Sequence, residues 1–212
     1  MASPGWPALL ADGCVGLRPL RLRDATAWTE VRVRNEQWLA PWEGAPAALG
    51  RYDWAERHSA SSYAAMLRAL RREARAGRTL PFALTYDGAL AGQVTVSSIV
   101  RGAFDSGSVG YWVDRRFAGR GVVSTALALA VDHCFGPVGL HRVEANARPE
   151  NAPSLRVLDK VGFRSEGRHL NYLFIDGAWR DHLAFALTQE DHPAGVLRRL
   201  RAHGDTPPEV HR

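Results

Sequence analysis

The chain has 212 residues, a formal net charge of +5 and an apolar fraction of 46%. This length fits one α/β domain, and the apolar fraction is enough for a hydrophobic core and argues against extensive disorder. No apolar run approaches the roughly 20 residues that cross a bilayer, and no basic segment precedes an apolar one at the start, so we expect neither a membrane protein nor a secreted one. Cys14 and Cys134 form no CxxC pair, so we expect no disulfide, no metal and a cytoplasmic location.

The basic charge permits an anionic partner but does not identify one. Lys160 is the only lysine, and this arginine-rich composition fits a genomic bias better than a nucleic-acid-binding surface. Part of the excess lies near the C-terminus, at Arg198, Arg199, Arg201 and Arg212. No segment interleaves basic and stacking aromatic residues as nucleic-acid-binding proteins do, so we expect no direct contact with nucleic acid. The oligomeric state stays open between monomer and homodimer.

The first half of the chain predicts one strand followed by two helices. Residues 15–23 alternate apolar and basic side chains, which is the pattern of a half-buried strand, and a first helix follows. Residues 35–58 combine aromatic residues with proline and glycine, which predicts an irregular loop with a short helix. A second helix should begin at Ser61 or Ser62 and end at Gly77.

The second half of the chain predicts mainly strands. Two strands flank the hairpin turn at Asp87-Gly88, a third covers Ser106–Val113, and a helix then begins near Gly121. The remaining elements are a strand, a helix and two strands, at 141–147, 151–161, 163–175 and 178–187. The order β-α-α-β-β-β-α-β-α-β-β in a single domain predicts an α/β (α+β) fold with a mixed, mostly antiparallel sheet flanked by helices.

A glycine-rich loop joins the strand that ends at Val113 to the helix that follows it. In Arg116-x-x-Gly119-x-Gly121, the glycines let backbone N–H groups approach a bound group, and the helix N-terminus adds partial positive charge. Ser124 in the first helical turn adds another donor, so the loop suits a pyrophosphate. The loop matches neither the P-loop nor the dinucleotide-binding fingerprint, and a plain turn between two elements stays an alternative.

Further motifs follow the glycine loop. Together with Gly110–Asp114 and the loop itself, Arg148–Ser154 and Lys160–Phe163 resemble the GNAT N-acetyltransferase superfamily. The resemblance is to its Rim-type branch of RimJ-like and RimL-like ribosomal-protein N-terminal acetyltransferases, and it extends over residues 15–188.

The resemblance also implies a domain organisation. A single GNAT domain would occupy residues 15–190, after an N-terminal extension at 1–14 and before a C-terminal helix or tail at 191–212. Two neighbouring parallel strands of that domain, Ser108–Val113 and His141–Ala147, would splay apart.

Acetyl-CoA is the cosubstrate that the resemblance implies, bound without a metal in the gap between the splayed strands. Its pantetheine arm would pair with the backbone of the first strand and with Asn151, and its pyrophosphate would lie on the amides of the glycine loop. The residues expected to bind it are Trp112, Val113, Arg115, Arg116, Ala118, Gly119, Arg120, Gly121, Val122, Ser124, Asn151 and Ser154.

Acetyl transfer needs a base for the amine, a polarised thioester carbonyl and an acid for the leaving thiolate. The resemblance implies Ser154 as the acid. The two glutamate positions that supply the base in the family are occupied here by Asn146 and Leu173, so Glu144 becomes the candidate base, on the same side of its strand as Asn146. A role for Glu144 as an amine anchor or an ion-pair partner stays open. The weaker alternatives for the base are Glu166 and His169.

The substrate would lie between the early helices and the last hairpin, against Trp38, Trp42 and Tyr172, although tryptophans often serve core packing instead. The resemblance implies acetylation of the N-terminal amine of a ribosomal protein that begins with alanine. The alternatives are acetylation of a small amine, such as a drug, a polyamine or an amino acid, and a CoA-binding module without activity.

Overall fold

The computed structural model describes residues 4–49 and 52–202. Its strands are β1 (Leu10–Asp12), β2 (Val15–Pro19), β3 (Leu80–Tyr86), β4 (Ala89–Val100), β5 (Ser106–Val113), β6 (Arg142–Ala147), β7 (Arg164–Ile175) and β8 (Ala178–Thr188). Its α-helices are α1 (Ala25–Arg34), α2 (Glu36–Leu39), α3 (Trp54–Arg57), α4 (Ala60–Arg75), α5 (Val122–Phe135), α6 (Ala152–Val161) and α7 (Val196–Ala202). In this part of the chain, no helix is both long and apolar enough to span a bilayer.

The strands form one eight-stranded sheet in the order β1-β2-β3-β4-β5-β6-β8-β7. Every neighbouring pair is antiparallel except β5 and β6, which are parallel because α5 carries the chain back across the sheet between them. The fold class predicted from the sequence, a mixed and mostly antiparallel sheet flanked by helices, is confirmed.

Pairing between β5 and β6 stops early. The last paired residues are Ser108 and Glu144, after only three consecutive pairs. Beyond them the two strands diverge, and β6 continues beside β8 up to Ala147. The expected splay is therefore present, and within residues 4–49 and 52–202 no strand lies beside this edge of β5 from Val109 onwards.

Helices cover both faces of the sheet. Helix α5 is apolar on nearly every side, because it lies between the sheet and the helices α6 and α7, and Leu127 and Val131 in it are fully buried. A smaller cluster on the opposite face packs Trp28 of α1 against Tyr63 and Leu67 of α4. These two layers fix the sheet from both sides.

Both chain ends, as far as the structure describes them, pack against the core, and the predicted domain bounds stay a prediction. Residues 4–14 contact the sheet, because β1 pairs with β2 and the ring of Trp6 meets that of Phe82 at 5.0 Å. Near the other end, α7 buries Val196 and Leu200 against the core. Residues 1–3 and 203–212, with Arg212 of the basic excess, lie outside the described residues.

Two local predictions also need correction. Helix α4 begins at Ala60 rather than at Ser61 or Ser62, because the Ser59 side chain accepts the Ser62 N–H and caps the helix. The region 35–58 holds two short helices, α2 and α3, together with 3₁₀ turns, where the sequence predicted a loop with one short helix. Residues 50 and 51 of that region lie outside the described residues.

Candidate active site

The divergence of β5 and β6 opens a cleft beside the free edge of β5. The Asp114 N–H donates to the Ala91 carbonyl of β4 at 2.8 Å. Because backbone groups of an antiparallel strand alternate in direction, those of Trp112 face β4, whereas those of Tyr111 and Val113 face the gap. The cleft contains a cavity of about 600 Å³ that is lined by this edge, by the following loop and by α6.

The glycine loop lies at the end of this cavity. Gly119 and Gly121 adopt φ values of 75° and 74°, a left-handed conformation that favours glycine. A Cβ atom added at either position meets nothing within 4 Å, so the loop backbone is open on its outer side. The first amides of α5, at 122–124, have no helical acceptors and line the same cavity. This end of the cavity can therefore hold an anion.

Asp114 anchors the loop to α1. Its carboxylate is 1% exposed and accepts hydrogen bonds from Arg34 (2.6 Å), Asn35 (3.1 Å) and the Arg116 guanidinium (2.9 Å). Burial alone would raise the pKa of Asp114, but the hydrogen bonds from Arg34 and Arg116 lower it to about 2. The Asn35 side chain also accepts the Arg115 N–H at 3.0 Å. The loop is thus held in shape by the protein itself.

The structure brings together most of the residues predicted to bind a cofactor. Those that line the large cavity are Trp112, Val113, Ala118, Gly119, Gly121, Val122, Ser124, Asn151 and Ser154. Arg115, Arg116 and Arg120 lie on the exposed side of the loop, outside this lining. The sequence prediction missed Arg156 and Lys160 of α6, which line the cavity one helical turn apart; their i, i+4 spacing was the available signal.

Two hydroxyl groups meet at the centre of the cleft. The Tyr111 hydroxyl lies 2.8 Å from Ser154 Oγ, and the Ser154 N–H donates to Asn151 Oδ1 at 3.2 Å as part of the cap of α6. Burial raises the pKa of Tyr111 to about 12, so its phenol stays protonated at neutral pH. The pair can donate a proton into the cleft. Tyr111 was not predicted as a site residue, because the sequence did not show which side chains of β5 face α6.

A smaller cavity of about 170 Å³ lies within the gap itself. Tyr111 and Ser154 line it on the α6 side, and Asn146, His182 and Trp42 line it as well. Because Tyr111 and Ser154 also line the large cavity, the two cavities meet at the hydroxyl pair. Among the described residues, no three His, Cys, Asp or Glu side chains are grouped so that they could hold a metal ion.

Glu144 lies at the paired end of the gap. It is opposite Ser108 in the last parallel pair, and its carboxylate accepts from Arg142 Nε at 2.8 Å. Arg142 also contacts Glu166. Glu144 lines neither cavity, and its contact with Arg142 matches the ion-pair role that the sequence left open. Its role as the base stays a prediction.

Aromatic side chains form part of the wall of the large cavity. The Trp38 indole donates to the Val113 carbonyl at 3.1 Å, and the Arg148 guanidinium lies 5.5 Å from the Trp42 ring. Both tryptophans line the cavity, and their role in binding the substrate stays a prediction. Tyr172 lies outside the lining, 40% exposed and stacked on His169 at 4.7 Å. Trp54 is a core residue that donates to the Arg32 carbonyl.

Comparisons with known proteins place the chain among acetyltransferases. The acetyltransferase (GNAT) domain family matches residues 15–164. The [ribosomal protein uS5]-alanine N-acetyltransferase of Escherichia coli is 31% identical over 175 residues, which cover 82% of this chain and 87% of that protein. The Bacillus subtilis protein named "Probable N-acetyltransferase YjcK" is 39% identical over 105 residues, which are 50% of this chain and 58% of that protein.

A solved structure extends the similarity to nearly the whole chain. RimJ from Mycobacterium smegmatis, in complex with CoA-disulfide, is 45% identical and superposes with a TM-score of 0.92. The match covers 96% of this chain and 98% of that one.

The anchoring of the loop by Asp114 predicts a pH-dependent stability. Because its pKa is lowered from 3.8 to about 2, the stabilisation is complete above pH 4 and is lost as the pH falls through the folded-state value. Asp114→Asn should reduce the free energy of unfolding at pH 7 by about 2 kcal/mol, and the deficit should shrink as the pH falls towards 3. Urea unfolding at several pH values measures this difference.

Asp105→Asn is the matched control, because Asp105 forms an exposed ion pair with Arg101 at 3.1 Å. Its effect should stay within about 0.5 kcal/mol. Equal effects of the two substitutions, or a deficit of Asp114→Asn that does not change with pH, would show that Asp114 does not anchor the loop through its charge.

Proposed function

The chain belongs to the acetyltransferase (GNAT) family, and from that premise we propose that it acetylates the N-terminal amine of a ribosomal protein that begins with alanine, with acetyl-CoA as the donor. The observation that carries the proposal is the gap between β5 and β6, which joins an anion-binding loop to a hydroxyl pair and an aromatic wall. The E. coli relative is named for alanine of ribosomal protein uS5, and the M. smegmatis relative binds a CoA disulfide. Such a substrate places the reaction in the cytoplasm.

The cofactor would occupy the free edge of β5. Amide groups of the pantetheine arm can pair with the Tyr111 carbonyl and the Val113 N–H, which face the gap. Its phosphates would lie on the amides between Gly119 and Ser124, where the start of α5 adds partial positive charge. Arg156 and Lys160 line the same cavity and add positive charge beside an anionic ligand.

The acetyl group would then lie at the hydroxyl pair. The amine nitrogen attacks the thioester carbon, and the Tyr111 N–H, which faces the gap, can donate to the developing oxyanion. As the C–S bond breaks, Ser154 donates a proton to the sulfur, and Tyr111, still protonated, can return one to Ser154. The amine nitrogen loses a proton to a base or to solvent, and a proton from solvent restores Tyr111, so the reaction moves one proton from nitrogen to sulfur overall.

The acceptor would approach over β4 and the aromatic wall. Gln93, Thr95 and Ser97 of β4 line the large cavity, so this part of its lining is polar. Trp38 and Trp42 form part of its wall. Polar groups along an extended cleft suit the backbone of a peptide, whereas a small amine needs only a local site. This arrangement favours a peptide N-terminus as the acceptor.

An assay of thiol release against a panel of amines tests the proposed function. The wild-type protein should acetylate a short peptide that begins with alanine, and blocking that N-terminus with a formyl group should abolish the reaction. Mass spectrometry should place the acetyl group on the α-amine. Turnover of spermidine or free amino acids in preference to the peptide would support the small-amine alternative. Binding of acetyl-CoA without any turnover would support the alternative of a CoA-binding module without activity.

The glycine loop gives a prediction for cofactor affinity. Gly121→Val places a side chain where the loop backbone would approach the pyrophosphate, so the dissociation constant of acetyl-CoA should rise at least tenfold, or about 1.4 kcal/mol. Gly102→Val is the matched control, because Gly102 also has a positive φ, of 85°, with open space around its Cβ position, but lies at the opposite end of β5. Calorimetric titration measures the acetyl-CoA dissociation constant of both variants. Unchanged affinity in folded Gly121→Val would refute the cofactor role of the loop.

Removal of the Ser154 hydroxyl tests the protonation of the leaving group. Ser154→Ala should lower kcat by about 10²-fold and leave the acetyl-CoA dissociation constant nearly unchanged, because the hydroxyl acts mainly after negative charge develops on sulfur. Ser124→Ala, at the loop end of the same cavity, should instead weaken cofactor binding more than it lowers kcat. Parallel losses of affinity and rate in Ser154→Ala would make Ser154 a binding residue.

A further inference from the structure

His182 lies on the acceptor side of the gap, in strand β8. Its side chain is 4% exposed and lines the small cavity together with Asn146 and Trp42. Asn146 is directly opposite Ala184 in the register of β6 and β8. Since residues two apart on a strand share a face, His182 and Asn146 are diagonal neighbours on one face of the sheet, and the small side chain of Ala184 leaves space between them.

The hydrogen bonds of His182 fix which ring nitrogen carries the proton. Nδ1 lies 3.1 Å from the Arg180 carbonyl oxygen. A carbonyl only accepts hydrogen bonds, so Nδ1 is the donor and Nε2 of the neutral ring holds the lone pair. Within residues 4–49 and 52–202, Nε2 has no hydrogen-bond partner. The Tyr172 ring packs edge-on against the imidazole at 5.5 Å and restrains its orientation.

Asn146 presents a second acceptor to the same cavity. Its Oδ1 is buried and has no hydrogen-bond partner in the part of the chain that the structure describes. A buried, unpaired carbonyl oxygen is costly, and the N–H of a bound amine would satisfy it. The small cavity therefore holds two acceptors, Asn146 Oδ1 and the His182 lone pair, and the Ser154–Tyr111 hydroxyl pair. This set of groups matches an amine and a leaving thiolate.

We infer that His182 is the general base of acetyl transfer and that Asn146 positions the amine for it, an inference that rests on the proposed function. The amine nitrogen forms a bond to the thioester carbon, and its surplus proton passes to His182 Nε2. The C–S bond then breaks, and sulfur takes a proton from Ser154. The proton held by His182 returns through the hydroxyl pair or solvent, so one proton in all passes from nitrogen to sulfur.

The electrostatic surroundings keep His182 neutral. Burial lowers the pKa of His182 below its ordinary value of 6.5, and the positive charge of Arg148 lowers it further. The other ionisable groups that face it are Glu150, which raises its pKa, and His169 and Tyr172 of β7. The imidazole is therefore unprotonated at neutral pH, as a base must be.

Glu144 is less well placed for this role. It lies on the same face as Asn146, but at the last paired position of β5 and β6, and its carboxylate is held by Arg142. His182 and Glu144 are therefore competing candidates for the general base, and substitution of each residue shows which one the reaction needs.

The pH profile of kcat/KM with an alanine-starting peptide tests the inference. Two groups must be neutral, the peptide amine with a pKa of about 7.7–8.0 and His182 below 6.5. In the wild type, the plot of log kcat/KM against pH should therefore have a slope of one just below the amine pKa and a slope of two below the His182 pKa. His182→Gln should lower kcat by about 10²-fold and keep a slope of one throughout. His141→Gln, at an exposed histidine that contacts Glu190, should behave as the wild type.

Three further measurements complete the test. The acetyl-CoA dissociation constant of His182→Gln should match that of the wild type, which shows that the cleft is intact. Added imidazole should restore part of the activity of His182→Ala. This second variant also replaces His182→Gln in the test if His182→Gln does not fold. Asn146→Ala should raise the KM of the peptide about tenfold and retain the steep acidic limb.

The possible failures are distinguishable. Near wild-type kcat in His182→Gln, or loss of the steep limb in Glu144→Gln instead, would overturn the inference and leave the proposed function standing. Absence of peptide acetylation by the wild-type protein would overturn the proposed function itself.

Discussion

The site depends on a short parallel pairing, which joins β5 to β6 only from Ser106 to Ser108. Gly107 lets the side chains of Val96, Ile99 and Leu140 pack closely over this pairing, because a Cβ atom there would lie 3.1–3.3 Å from them. Beyond Ser108 the N–H groups of Tyr111 and Val113 have no strand beside them in the described part of the chain. A free edge of this kind can pair with the amide groups of a ligand.

The rest of the structure keeps the two sides of this gap in place. Asp114 ties the loop after β5 to α1, and the Trp38 indole holds the Val113 carbonyl, so the cofactor side is formed before a ligand binds. On the other side, β8 extends the sheet and carries His182 beside Asn146. The divergence of β5 and β6 thus places the proposed acid, Ser154, and the proposed base, His182, on opposite sides of the thioester.

Local pattern predicted much of this fold. The hairpins, the glycine loop and the limits of β5 follow from turn residues and alternation, and the residues that line the large cavity follow largely from the resemblance. His182 and Tyr111 were missed because their roles depend on register between strands distant in sequence, which one sequence does not show. Strand β1 was missed because three residues are too few for a periodic signal, and Ser59 because the capping serine was placed two or three residues late.

Amide hydrogen exchange with and without acetyl-CoA tests the central claim, that the free edge of β5 is where the cofactor binds. Binding should slow exchange at the amides of Tyr111 and Val113 and over residues 119–124, and should leave β1 to β3 unchanged. Slower exchange in the glycine loop alone would mean that the pantetheine arm does not pair with β5. No protection at either place would contradict the account.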